Sequence, residues 1–314
     1  GRTERLMNEV MELIQKNPEA TNELLGDFLG RADEVEVSYE FRQKRYDVAL
    51  ERLNREKDEK GRPLSDSERD VIVEEEVDKS VAAEGAKLRN EAAVKKEAAK
   101  NKLSQIDPEL FEKLSELRLF LDALSKKFSS TFDTQGDIRA TIDANLGIYI
   151  VRSYRAFLEE GYMDKVIKVV SGEAVAGDEQ MVKHYQQVYQ MFEEEYHNTF
   201  ARTEMNKEKT EGVPSEQRAS KEQLIEDSKA NVAAERARGR DRIRGAILEY
   251  LYSLDPNSRF KSKAAPLATS VTKSLVDRIR SRKSVPEAFR KLLGQYDNSD
   301  VVENVLRSIT MVSQ

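Results

Sequence analysis

The chain has 314 residues, 35% of them charged, a formal net charge of -6 and no cysteine. The missing cysteines exclude disulfides, thiol catalysis and cysteine zinc sites. No stretch approaches 18 consecutive apolar residues, so a transmembrane helix is excluded, and 14 Gly, 7 Pro and no Trp fit long helices with short connections better than a β-rich fold.

Taken in order, residues 3–16 read as a first helix, with Met7, Val10, Met11 and Ile14 on one face and Asn17-Pro18 as its end. A short helix with Leu24, Leu25, Phe28 and Leu29 follows, stopped by Gly30. Residues 33–57 read as one longer helix carrying Val35, Tyr39, Phe41, Val48, Ala49 and Leu53. The run DEKGRPLSDSERD breaks it, and Ser65 or Asp66 can cap the next helix with Glu68 behind. From about Asp66 to Lys102 the chain is rich in Ala, Glu and Lys, with a thin stripe of Val73, Val77, Val81, Leu88, Ala92 and Leu103. That pattern predicts a helical hairpin over 33–102 projecting from the body, with disorder over 55–102 as the alternative.

Residues 110–158 are the most apolar stretch. Leu110, Leu114, Leu117, Leu121, Leu124 and Phe128 alternate in steps of four and three, the spacing of one helix face. After a break at Ser129–Gly136, a second helical run is predicted through Ile138, Ile142, Leu146, Ile150 or Val151, and Tyr154. The pair is expected to be the core helical hairpin, with helix continuing to about Val170. SGEAVAGDEQ (171–180) reads as a loop, and 179–200 as a helix with an aromatic core stripe of Tyr185, Tyr189, Phe192, Tyr196 and Phe200. Residues 202–230 are too polar for a core and read as a linker or an exposed helix. Helices then resume with Ile243, Ile247, Leu251 and Leu254 inward, a turn at Asp255-Pro256-Asn257, a helix through Leu267, Val271, Leu275 and Ile279, another from Pro286 to Gly294, and a last one from 300.

The expected fold is all-α, an elongated multi-helix bundle with a projecting hairpin. Its expected parts are 1–106, 107–201, 202–230 and 231–314. The start GRTERLMNEV and the helical-looking end suggest a segment of a longer protein.

Charge is unevenly spread. Residues 236–291 hold 15 basic and 5 acidic side chains, a net of +10, and 292–314 carry -2, which leaves -14 for residues 1–235. Arg236, Arg238, Arg240, Arg242 and Arg244, then Arg278, Arg280, Arg282 and Lys283, are candidate phosphate contacts to DNA or RNA. The competing reading is charge complementarity with the acidic part of the chain or its parent. That reading is preferred, because interleaved stacking aromatics are missing.

Enzyme signatures are absent. His184 and His197 lie 13 residues apart, about 19 Å along one helix, so they cannot share a metal and read as surface or boundary residues. Runs such as Glu74-Glu75-Glu76 point about 100° apart per residue and read as solvated faces. No phosphate loop, dinucleotide fingerprint or nucleophile elbow occurs. No catalytic residue, metal ligand or cofactor is assigned.

Two stretches carry a resemblance. Asn145, Leu146, Gly147, Tyr149, Arg152, Ser153, Tyr154 and Arg155 fit a pattern ANLGxYxxRSYR. Arg282, Lys283, Pro286, Arg290, Leu292, Leu293, Gly294, Tyr296, Asp297 and Asn304 fit RKxIPxxxRxLLGEYxDPxxN, with Val285, Gln295 and Asn298-Ser299 departing from it. Together they resemble a helical module of very large bacteriophage polyvalent proteins. The resemblance implies a non-catalytic structural or interaction module, with other parts of a giant parent protein or other virion proteins as partners, located in the virion or the host cytoplasm. It assigns no catalysis to Tyr149, Arg152 or Arg155, which read either as functional residues or, the preferred reading, as a Tyr/Arg lock between helices.

Overall fold

A computed structural model of the protein describes residues 1–57, 61–132, 144–148, 150, 152–173, 178–214, 217–234, 237–254, 270–281, 284–297 and 299–313. The protein is all-α, with no strand among the described residues beyond isolated bridges, and no helix among them is long and apolar enough to cross a membrane. Contacts divide the chain into two compact units, Gly1–Glu160 with Gly294–Gln314, and Gly161–Leu293. These boundaries differ from the four segments expected from sequence. Residues 107–201 are shared between the units, and the last helix returns to the first one.

The first unit holds α1 (Arg2–Lys16), α2 (Asn22–Leu29), α3 (Ala32–Val35), α4 (Tyr39–Leu53), α5 (Asp66–Ile106), α6 (Pro108–Phe132), α7 (Arg155–Leu158) and α14 (Val301–Ser313). Asp107 makes the sharp change from α5 to α6, its Oδ1 accepting from the N–H groups of Glu109 and Leu110. The leucine stripe of α6 is buried as its spacing predicts, at Leu110, Leu114, Leu117 and Leu121. It packs with Val10 of α1, Leu25 and Phe28 of α2, Leu103 of α5, and Val301 and Val305 of α14. On α1 the inward face is turned one step from the expected one: Leu6, Met7 and Val10 are buried while Met11 is exposed.

The hairpin over 33–102 is present but interrupted. Helix stops at Val35 and restarts at Tyr39, where the Ser38 hydroxyl accepts from the Phe41 N–H. Ser65 caps α5 reciprocally with Glu68, as expected. With 41 residues, about 60 Å of rise, α5 serves two partners. Its first half joins α4 in a separate small core of Tyr46, Ala49, Leu53, Val73 and Val77, and its second half packs on α2, α3 and α6.

The expected second core helix over 138–154 is not found where it is described. Residues 145–148 form a turn, and Tyr154 is extended (φ -130°, ψ 139°) and bridged to Gln295. Gly147 at φ 83° ends the local helical geometry, and partners at 294–296 take up the backbone groups that a helix would have used. Ile138, Ile142 and Val151 lie outside the described residues. The expected continuation to Val170 is also broken, at Glu159–Gly161.

The second unit holds α8 (Tyr162–Ser171), α9 (Glu179–Thr210), α10 (Lys221–Ala234), α11 (Ala237–Leu254), α12 (Ser270–Ser281) and α13 (Glu287–Leu292). α9 is its spine, packed on all the others. Phe192 of α9, Tyr250 of α11 and Phe289 of α13 meet with ring centroids 4.6 to 6.1 Å apart, at the edge-to-face and tilted angles that aromatic pairs prefer. The segment 202–230 is largely helical, with a mostly exposed connection between its helices and few buried positions. α9 continues to Thr210, and α10 buries Leu224 and Ser228. The Asp255-Pro256-Asn257 turn and Leu267 lie outside the described residues.

Candidate functional site

The motif residues of the first unit gather at two adjoining features, a turn and a tie. The turn is Asn145–Ile148, closed by the Ile148 N–H donating to the Asn145 carbonyl at 3.2 Å. Three charged side chains hold it. The Gly147 N–H donates to Asp122 Oδ1 at 2.9 Å, and Lys96 Nζ donates to the Gly147 carbonyl at 2.6 Å. Arg118, 4% exposed, donates to Asp122 at 2.7 Å and to the carbonyl of Leu29 at the end of α2. Both cations thus spend donors on backbone carbonyls, and Arg118 neutralises the negative end of α2. Gly30 makes the approach feasible: at φ 95°, a Cβ there would lie 2.3 Å from the Ile148 carbonyl.

Electrostatically the site is two cations on one carboxylate. Burial, then repulsion from Arg118, pushes the Lys96 ammonium down from its ordinary value, with Asp122 opposing. Burial likewise pushes Arg118 down, against Asp122. Lys96 also lies 5.7 Å from the Phe28 ring centroid.

The tie joins 152–159 to 294–307. The Arg155 N–H donates to the Gly294 carbonyl at 3.0 Å, and the Tyr296 N–H to the Ser153 carbonyl at 3.1 Å, around the Tyr154–Gln295 bridge. Arg152, 8% exposed, donates through Nε to Glu36 at 2.7 Å. The Tyr296 ring has the Arg307 guanidinium at 4.1 Å and that of Arg155 at 5.6 Å. Its hydroxyl donates to Glu159 at 2.7 Å, and burial together with Glu159 pushes the phenol up. The expected Tyr/Arg lock therefore has a counterpart, centred on Tyr296; Tyr149 lies outside the described residues. Pro286 is buried at the start of α13 in the second unit.

The arginine run lies in the second unit. Arg236, Arg282, Lys283 and the side chains of Arg238 and Arg240 are outside the described residues. Arg242 is half-buried and Arg280 exposed. Arg244 lies 3.9 Å from Asp241, over the end of α8 at Gly172, and near the Tyr185 phenol. Burial pushes that phenol up while Arg244 opposes the shift. Arg278 Nε meets Glu195 of α9 at 2.9 Å.

His197 is more deeply placed than the surface or boundary position expected for the histidines. It is 6% exposed, and its Nδ1 lies 2.8 Å from Ser228 Oγ. Burial and then Lys229 push the imidazole below its ordinary value, with Glu226 opposing. His184 is half-buried beside Gln180. Among the described residues no three His, Cys, Asp or Glu side chains converge as a metal site would need.

Lys96, Arg118, Asp122, Glu36, Glu159 and Arg307 are not among the expected site residues. Two of them carried a signal. Arg118 falls between Leu114 and Leu121 at steps of four and three, and Lys96 likewise between Ala92 and Ala99, so each charge sits on a buried stripe. Compared with protein-family models, curated proteins and solved structures, the chain matches none.

Proposed function

We propose that this chain is a non-catalytic helical module, a structural or interaction part of a larger protein. The resemblance to phage polyvalent proteins extends the proposal to a place in a virion or an infected host cytoplasm, with other virion proteins or segments of the parent chain as partners. The observation that carries the reading is how the motif residues are used. Gly147, Arg152, Arg155, Gly294 and Tyr296 are engaged with Asp122, Glu36, Ser153 and Glu159 and with one another. Arg244 and Arg278 lie against Asp241 and Glu195 inside the second unit, which favours internal complementarity over phosphate contact.

The test is binding of the purified chain to labelled single- and double-stranded DNA and RNA between about 50 and 200 mM salt. The expected result is no binding at the lowest salt. Tight binding that falls steeply as salt rises would overturn the reading and make 236–291 a phosphate-contacting surface.

A further inference from the structure

The second unit is continuous in sequence, whereas the first is made of two pieces, 1–160 and 294–314. Residues 161–293 are therefore an insertion within the first unit. The insertion has its own interior. Phe192, Tyr250 and Phe289 interlock there, with Val166, Ile247 and Leu275 fully buried. The first unit's interior, from Leu25, Leu114 and Leu117 to Val301 and Val305, draws on none of these residues.

The root of the insertion is closed within the first unit. The departing segment Ser153–Arg155 and the returning segment Gly294–Tyr296 exchange two backbone hydrogen bonds, 3.1 and 3.0 Å long. Tyr296 clasps this crossing from the return side, with its hydroxyl on Glu159 and its ring against Arg155 and Arg307. Gly161, just outside the clasp, and Gly294, within it, both have left-handed backbone, at φ 75° and 68°, so each connector can turn without side-chain strain. The cost of holding a flexible loop closed grows only slowly with its length. A root held by its own bonds can therefore tolerate an open loop of this size.

We propose that 161–293 is an inserted cassette that opens and closes as its own cooperative unit, and that the Tyr296 clasp lets the first unit keep its fold while the cassette is open. The clasp keeps α14 seated, because Tyr296 binds the departing chain five residues before Val301 enters the core.

The test is peptide-resolved amide hydrogen exchange on the full chain in sub-denaturing urea, which reports local and sub-global opening. Phe289→Ala empties the cassette's interior, Leu114→Ala the first unit's, and Tyr296→Ala removes the clasp. We expect Phe289→Ala to speed exchange across 161–293 at least about a hundredfold and to leave 1–160 and 294–313 unchanged. Leu114→Ala is expected to do the reverse. In the Tyr296→Ala/Phe289→Ala double variant, α14 and the 153–159 segment should open more than in Tyr296→Ala alone. Phe289→Leu replaces Phe289→Ala if the latter does not fold. Phe289→Ala or its substitute speeding both units alike would overturn the independent cassette. A double variant no more open in α14 than Tyr296→Ala alone would overturn the role of the clasp.

Discussion

Arg152 and Glu36 face each other across 116 residues of chain, Nε to Oε2 at 2.7 Å, with the arginine almost fully buried and the carboxylate partly open to water. Glu36 sits in the break between α3 and α4, so the pair fixes the start of the hairpin to the extended 152–154 segment. Arg152→Ala should cost about 2 kcal/mol, the range of a charge-assisted hydrogen bond. The double variant with Glu36→Ala should cost little more than either single change, because both remove the same interaction. Urea unfolding of the four proteins measures this. Additive losses would mean that the pair does not act as a pair.

The carboxylate of Asp122 is shared by Arg118 and the Gly147 N–H, with Lys96 close by. Removing it leaves a buried guanidinium facing an ammonium. Asp122→Ala is therefore expected to cost about 3 kcal/mol, as for one partner of a buried pair. Lys96→Met should cost less, about 1 kcal/mol, since it gives up the bond to the Gly147 carbonyl while relieving repulsion on Arg118. The order of the two unfolding midpoints is the readout; the reverse order would contradict the role given to Asp122.

The two glycines 30 and 61 share a positive φ, 95° and 77°, but not their surroundings. A Cβ at Gly30 would collide with the Ile148 backbone, and one at Gly61 would meet nothing within 4 Å. Gly61→Ala should cost about 1 kcal/mol, the conformational penalty alone. Gly30→Ala adds a clash with main chain that cannot swing away, and should cost more than about 3 kcal/mol. Thermal melts of both variants separate the two contributions.

Burial pushes the His197 imidazole below its ordinary value, with its Nδ1 against Ser228. Its folded value is lower than its unfolded one, near 6.5. Below that value the unfolded chain takes up a proton that the folded one refuses, so this residue's contribution is complete above about pH 6.5 and declines as pH falls toward the folded value. His197→Gln keeps a polar partner for Ser228 without titrating. The difference in urea midpoint between wild type and variant should shrink from about pH 7.5 to pH 5.5. A difference independent of pH would mean that the imidazole does not titrate between the two states.

What could be read ahead divides along physical lines. Regular amphipathic helices were legible: the α6 leucines and the Ser65–Glu68 cap are local signals, and they stand where spacing places them. Features that depend on a distant partner were not. Tyr154 has the right spacing for a helix face, but it pairs with Gln295, far along the chain. α10 read as too polar for a core because one of its buried positions is Ser228, whose hydroxyl meets His197 of α9. The site's charged side chains were hidden for a similar reason. Lys96 and Arg118 sit on buried stripes, but the carbonyls they donate to, Gly147 for Lys96 and Leu29 for Arg118, come from elsewhere in the chain. The joining of the two motif stretches through Tyr296 is visible only in three dimensions.

The place of α14 bears on how the polypeptide is made. Val301 and Val305 fill the interior built by α1, α2 and α6, so synthesis must pass the whole of 161–293 before the seam beside Leu25 and Leu114 is sealed. Domains emerging from a ribosome generally fold as units in order of appearance. Here the middle of the chain has all its own helices while the first 160 residues still await their final piece. A nascent chain stalled short of residue 301 would expose that apolar seam to solvent and to chaperones.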